Sequence, residues 1–146
     1  MDPQPIAQSI QLAVAPIFLL TGIGALLNVM TARLARVVDR ARLLESALEA
    51  GEPEELSRRH KRELTMLDAR ILSANRAILV TTVSAFLVCL VVALLFLAQF
   101  SPLEVAPLVA VLFVGTMSLL TLGLGFFLHE IAVATRSLQV RSEFLS

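Results

Sequence analysis

The sequence has no tryptophan and no tyrosine, a single cysteine, two histidines and no excess of charge of either sign. Each absence removes a class of function. One cysteine, Cys89, excludes an internal disulfide, a cysteine-built zinc site and a CxxC redox pair. Its place inside an apolar run makes it a small packed or lipid-facing residue. Twelve basic residues balance twelve acidic ones, so no basic surplus is available to neutralise phosphates, and nucleic acid is not expected as a partner. With no tyrosine, few histidines and no acidic pair inside the apolar runs, the stock of general acids, bases and nucleophiles is thin. No strand pattern is present to carry a glycine-rich phosphate loop. The chain therefore reads as a non-enzyme, with no catalytic residue, cofactor or metal ion expected.

What the sequence has in abundance is apolar length. Hydrophobic residues make up 57% of its 146 positions and the mean hydropathy is +0.82, whereas soluble domains are roughly 45–50% apolar. The run from Ala77 to Phe100 carries no charge; at ~1.5 Å per helical residue it reaches about 36 Å, enough to cross a hydrocarbon layer of roughly 30 Å. Pro3 to Ala32, most apolar from about Leu12 to Met30, and Val105 to Leu128 are also free of charge. The expected fold is all-α, a single membrane domain over 1–146. It has transmembrane helices at about 10–32, 77–100 and 105–128, and a tail at 129–146. A cytoplasmic antiparallel helical hairpin at about 33–76 extends helices 1 and 2.

Local signals fit this plan. Asp2 and Pro3 suit a helix start, and the N-terminal segment lacks the basic residues of a signal peptide, so it is expected to be retained. Pro16 removes one backbone hydrogen bond and should kink helix 1 modestly, while Gly22, Gly24, Gly115, Gly123 and Gly125 invite close helix contacts. Beyond Thr31, Leu34, Val37, Val38, Ala41, Leu44 and Leu48 recur at steps of three and four among charged residues, the pattern of an amphipathic helix. Gly51 stops that helix and Pro53 starts the next in its first turn, with Glu54 and Glu55 at the positive end of its dipole. A reversal near residue 52 would pair Arg36 with Asp68, Arg42 with Glu63 and Glu45 with Arg59. Leu56, His60, Leu64, Leu67, Ile71, Ala74 and Ile78 form the seam to be buried. Ser101-Pro102-Leu103-Glu104 matches a capping box that joins helices 2 and 3 with almost no loop. Ile131, Ala134, Thr135, Leu138, Phe144 and Leu145 offer a shorter third stripe.

Basic residues lie between Arg33 and Arg76 or at Arg136 and Arg141, whereas the opposite side holds only Asp2 and Glu104. The positive-inside rule then puts the hairpin and C-terminus in the cytoplasm and the N-terminus outside.

Polar groups within the crossings are the next place to look for chemistry, since an unpaired amide or hydroxyl in lipid is costly. Most are hydroxyls that can bond to their own helix carbonyls. Asn28, about one turn above the cytoplasmic boundary, instead suits bridging helices or lining a pore, and Gln99 also lacks that simple account. At the boundary itself gathers an arginine-rich collar: Arg33, Arg36, Asp39, Arg40 and Arg42 on helix 1, with Asp68, Arg70, Asn75 and Arg76 on helix 2. Such guanidiniums set topology, bind anionic lipid head groups, pair with carboxylates or form a cationic vestibule. Asp39, three residues from both Arg36 and Arg42, is the expected hub of the network. His60 reads as a packed or solvated seam residue ahead of a pH switch. His129-Glu130 reads as an interfacial anchor, because neighbours on a helix point about 100° apart and do not chelate together.

RLARVVDRARLLE at Arg33–Glu45 and ARILSANRAI at Ala69–Ile78, above all their DRAR and NRAI segments, resemble a bacterial membrane-protein family, domain of unknown function 2721. The resemblance covers about Ile6 to Leu138. It implies a small inner-membrane protein with three crossings and no established activity, and it adds no chemistry. The expected role is a non-catalytic oligomeric scaffold or regulatory module whose hairpin stripe, at Leu56, Leu64, Leu67 and Ile71, docks a protein partner. The alternative is a homo-oligomeric ion channel or small-solute conduit with the arginine collar as its mouth. The partners expected are the lipid bilayer, anionic head groups at the collar and further copies of the chain.

Overall fold

The computed structural model describes residues 3–98 and 106–139, and every element among them is helical. The elements are α1 (Pro3–Glu49), α2 (Glu54–Leu97) and α3 (Ala106–Gln139). All three contain segments long and apolar enough to cross a membrane. α1, 47 residues, and α2, 44 residues, each run unbroken between uncharged and charged sequence. Between Glu54 and Leu97 no glycine or proline interrupts the helix, and α1 continues through Pro16. Asp2, Gln99, the Ser101–Glu104 box, Arg141, Phe144 and Leu145 lie outside the described residues.

The reversal after α1 depends on Gly51, whose φ of 80° lies in the left-handed region that glycine adopts without strain. The amides of Ala50 and Gly51 donate to the carbonyls of Ser46 and Leu48 at 3.1 and 3.4 Å, tightening the last turn. Pro53 sits one step earlier than expected. Its extended ψ of 143° makes it the N-cap rather than the first helical residue. Its carbonyl accepts the amides of Leu56 and Ser57 at 3.0 Å.

α2 is the central helix, with α1 running antiparallel along it and α3 packed against it. Buried positions recur with the seven-residue period of knobs-into-holes packing. On α1 they are Pro16, Ile23, Met30 and Leu44, with Val37 half-buried between; on α3 they are Thr116, Gly123 and Glu130. On α2, Ala77, Thr81, Ser84, Val88 and Val91 alternate steps of four and three. Among the charged turns, Ala41, Leu44 and Leu67 form a core with Val37, Leu64 and Ile71 packed on it.

The anticipated seam therefore turns inward, and Leu64, Leu67 and Ile71 are covered within the subunit. Leu56, beside the turn, stays exposed. Gly123 is the glycine that brings two helices close: a Cβ there would lie 2.5 Å from Thr81 Oγ1 and 3.3 Å from its amide nitrogen. Gly22, Gly24, Gly115 and Gly125 have nothing within 4 Å of such a Cβ, so the expectation of close contacts at them is not met within the subunit. The reason is visible on α1, where Ile23 takes the inward position and its glycine neighbours face out.

Candidate functional site

Where the uncharged part of α3 ends, one turn carries Phe127 and Glu130 on the helix's inner side and leaves His129 exposed. Glu130 is 7% exposed and reaches between the other two helices. Arg70 of α2 donates from Nη2 to Glu130 Oε1 at 3.2 Å. Arg33 of α1 brings Nη1 to 3.8 Å from Glu130 Oε2, and its guanidinium lies over the Phe127 ring, 5.8 Å from the centroid. One carboxylate thus ties all three helices together. A second ion pair, Arg40 Nε to Glu63 Oε1 at 2.9 Å, joins α1 and α2 farther toward the turn.

Beside Glu130 lies a cavity of about 250 Å³ lined by Arg33, Arg36, Arg40 and Arg70, with Met30 and Phe127 among its apolar walls. Arg33 Nη1 and Arg70 Nε are shielded from solvent and have no hydrogen-bond acceptor. A wider cleft of about 610 Å³ opens between α2 and α3, lined by Met66, Ser73, His129 and Val133 with Arg70 and Glu130 at its floor.

Of the anticipated collar, the structure therefore brings together Arg33, Arg36, Arg40 and Arg70. Asp39, Arg42, Asp68, Asn75 and Arg76 are exposed and make no ion pair among the described residues. Asp39 is not the hub, because its side chain lies on the outer face of α1; Glu130 holds that role. The anticipated Arg36–Asp68, Arg42–Glu63 and Glu45–Arg59 pairs do not form. The reversal has the right register, but Arg40 rather than Arg42 faces Glu63. Asn28 is exposed on α1. The sequence alone groups Glu130 with His129 as an interfacial anchor. Glu130 follows Gly123 by seven residues and Thr116 by fourteen, both buried, and so continues the inward stripe of α3, a relation that shows only once the stripe is seen in the structure.

Most of the remaining hydroxyls bond within their own helix, whereas the buried Thr81 Oγ1 has no partner among the described residues. Thr21, Thr31, Thr82, Thr116, Ser118 and Thr121 donate to carbonyls four residues earlier in their own helix. His60 is packed under the turn, its Nδ1 2.7 Å from Glu52 Oε2, without the alignment a hydrogen bond requires. Among the described residues no three His, Cys, Asp or Glu side chains group as a metal site.

A family model described as protein of unknown function, DUF2721, matches residues 13–140. The chain belongs to this family. Both arginine-bearing segments and Glu130 lie inside the matched DUF2721 region. No curated protein and no solved structure matches the chain.

Proposed function

We infer that this DUF2721 protein is a non-catalytic, homo-oligomeric scaffold of the bacterial inner membrane, with its N-terminus outside and its helical hairpin and C-terminus in the cytoplasm. The observation that carries the reading is the outward face of α1. Thr21, Gly24, Asn28, Ala32, Ala35 and Asp39 follow one another at steps of three and four, and all are exposed. Small residues let a second helix approach closely, and an amide in lipid is costly until another polar group meets it. A second copy packed on the same face supplies that group from its own Asn28.

Three features support anchoring rather than transport. No more than 22% of the most apolar window of any helix is buried within the subunit, leaving wide surfaces for lipid and for other copies. The hydroxyls named above are spent on their own helix carbonyls. The clasp at Glu130 fixes the three helices to one another just where the charges begin. Leu64, Leu67 and Ile71 of the hairpin stripe are used against α1, so docking falls to the cleft around Met66 and Val133. A ring of copies with the Thr21–Asn28 face inward is the second reading, a conduit whose mouth is the arginine collar.

The deciding experiment is cross-linking in native membranes. With Cys89, which is exposed, first replaced by serine, Asn28→Cys is expected to form an intersubunit disulfide, and a cysteine at Leu90, exposed on α2, is not. Particle mass then separates the readings: a dimer supports the scaffold, while a ring of four or more calls for conductance recordings. A monomer without cross-links would overturn both.

A further inference from the structure

We propose that the cavity where α1, α2 and α3 meet is an oxyanion site, built for the phosphate of an anionic lipid headgroup or for a free phosphate ion. Its lining brings four guanidiniums, those of Arg33, Arg36, Arg40 and Arg70, around the single carboxylate of Glu130. Arg40 is neutralised by Glu63. Glu130 is shared by Arg33 and Arg70, so one negative charge serves two positive ones. Arg36 meets no carboxylate among the described residues. The walls therefore hold a positive surplus in a space partly screened from water, where it acts strongly.

Hydrogen bonding points the same way as charge. Arg33 Nη1, 3.8 Å from Glu130, is too distant to donate to it. Arg70 Nε has no acceptor either, and both atoms are shielded from solvent. Buried donors in folded proteins are rarely left unmet. A tetrahedral oxyanion offers several acceptors at once to several arginine forks, a geometry that guanidinium matches better than any other side chain. At about 250 Å³ the cavity has room for a phosphate and the first atoms attached to it, and Met30, Leu34, Val37 and Phe127 give it an apolar side.

The lipid form of this assignment rests on the membrane reading above: Arg33 is the first charge after the α1 crossing and Glu130 the first acid after the α3 crossing. That is the level of head groups on the cytoplasmic leaflet. The free-ion form does not depend on it.

The test uses the full-length protein in two arms. Native mass spectrometry from detergent compares retention of phosphatidylglycerol and phosphatidylcholine with identical chains, and thermal unfolding is followed while inorganic phosphate is titrated. The probing variant is Arg36→Gln, which removes an exposed cavity arginine that holds no ion pair among the described residues; its unfolding temperature without phosphate is expected to match that of the unsubstituted protein. Arg58→Gln, on the exposed α2 surface near the turn, is the control. Binding is expected to weaken about tenfold in Arg36→Gln, the loss of one charge-assisted hydrogen bond, and to stay unchanged in Arg58→Gln. Selective retention of phosphatidylglycerol identifies the lipid source. A phosphate-dependent rise in unfolding temperature without lipid preference identifies the free ion. Equal retention of both lipids with no phosphate effect, or equal losses in the two variants, overturns the site. The same spectra report subunit number, so failure of the assembly reading is seen separately from failure of this one.

Discussion

The uncharged and charged halves of the α1–α2 pair are built from the same continuous helices yet bury different residues. In the uncharged half many inward positions are small or hydroxylated, namely Ala13, Ala77, Thr81, Ser84 and, across the gap on α3, Thr116 and Gly123, and they alternate with Ile23, Met30, Val88 and Val91. Large side chains such as Phe18, Leu79, Phe86 and Val111 point outward. In the charged half the inward positions include Leu44 and Leu67, and most arginines and acids lie outside, beside the exposed Leu43 and Met66. Solvent explains the greater share of small residues in the uncharged half. Against lipid a leucine gains nothing by turning inward, so helices meet where backbones come closest; against water each buried leucine contributes ~2 kcal/mol or more.

The largest expected effect tests that contrast directly. Leu44→Ala should destabilise the protein by about 3 kcal/mol, transfer and cavity terms together. Val88→Ala, buried to 0% in the uncharged half, should cost about 1 kcal/mol, since mainly packing is lost when both surroundings are apolar. Reversible unfolding of the purified protein in mixed micelles measures both. Equal losses would break the comparison.

Between the halves stands the clasp, which belongs to neither. Glu130→Gln leaves two arginines facing a neutral amide and should cost about 2 kcal/mol, below the usual figure for a fully buried pair because the Arg33 and Arg70 side chains remain 39% and 31% exposed. Combining it with Arg70→Gln should give a total smaller than the two single losses added, a coupling of about 1 kcal/mol.

How much of this was legible in the sequence follows the same division. Charge-free runs, the Gly51 stop and the Leu64–Leu67–Ile71 seam are periodic or positional signals, and the three apolar helices follow them, although α3 runs to Gln139, past the expected end at 128. Register along the pair was legible to within one helical turn, which is why Arg40 rather than Arg42 meets Glu63. Glu130 was not legible, because its partners lie 60 and 97 positions away, on other helices. Local spacing cannot tell an inward carboxylate from an anchoring one. Gly123 hid for a similar reason: the five glycines of the uncharged runs look alike in a sequence, and only the approach of Thr81 sets one apart.

That distinction among glycines gives the next test. Gly123→Ala forces Thr81 or α3 to move and should cost about 1–2 kcal/mol, the usual penalty for overpacking. Gly22→Ala meets nothing within 4 Å and should stabilise α1 by a few tenths of a kcal/mol, up to ~1, through helix propensity. Opposite signs in the same unfolding assay would support helix contact, rather than glycine's flexibility, as the reason for Gly123.

The smallest effect belongs to the second ion pair. Arg40 and Glu63 meet at 2.9 Å, but their side chains are 53% and 42% exposed, so water competes for both. Arg40→Gln should therefore cost no more than about 0.5 kcal/mol, and less as salt rises and the Debye length shortens to ~3 Å near 1 M. Glu130→Gln, measured over the same salt range, should keep most of its cost, since its carboxylate is shielded by three helices. A salt dependence as steep at Glu130 as at Arg40 would mean that water reaches the clasp. The boundary between the halves would then be an ordinary wet surface instead of the joint that holds them.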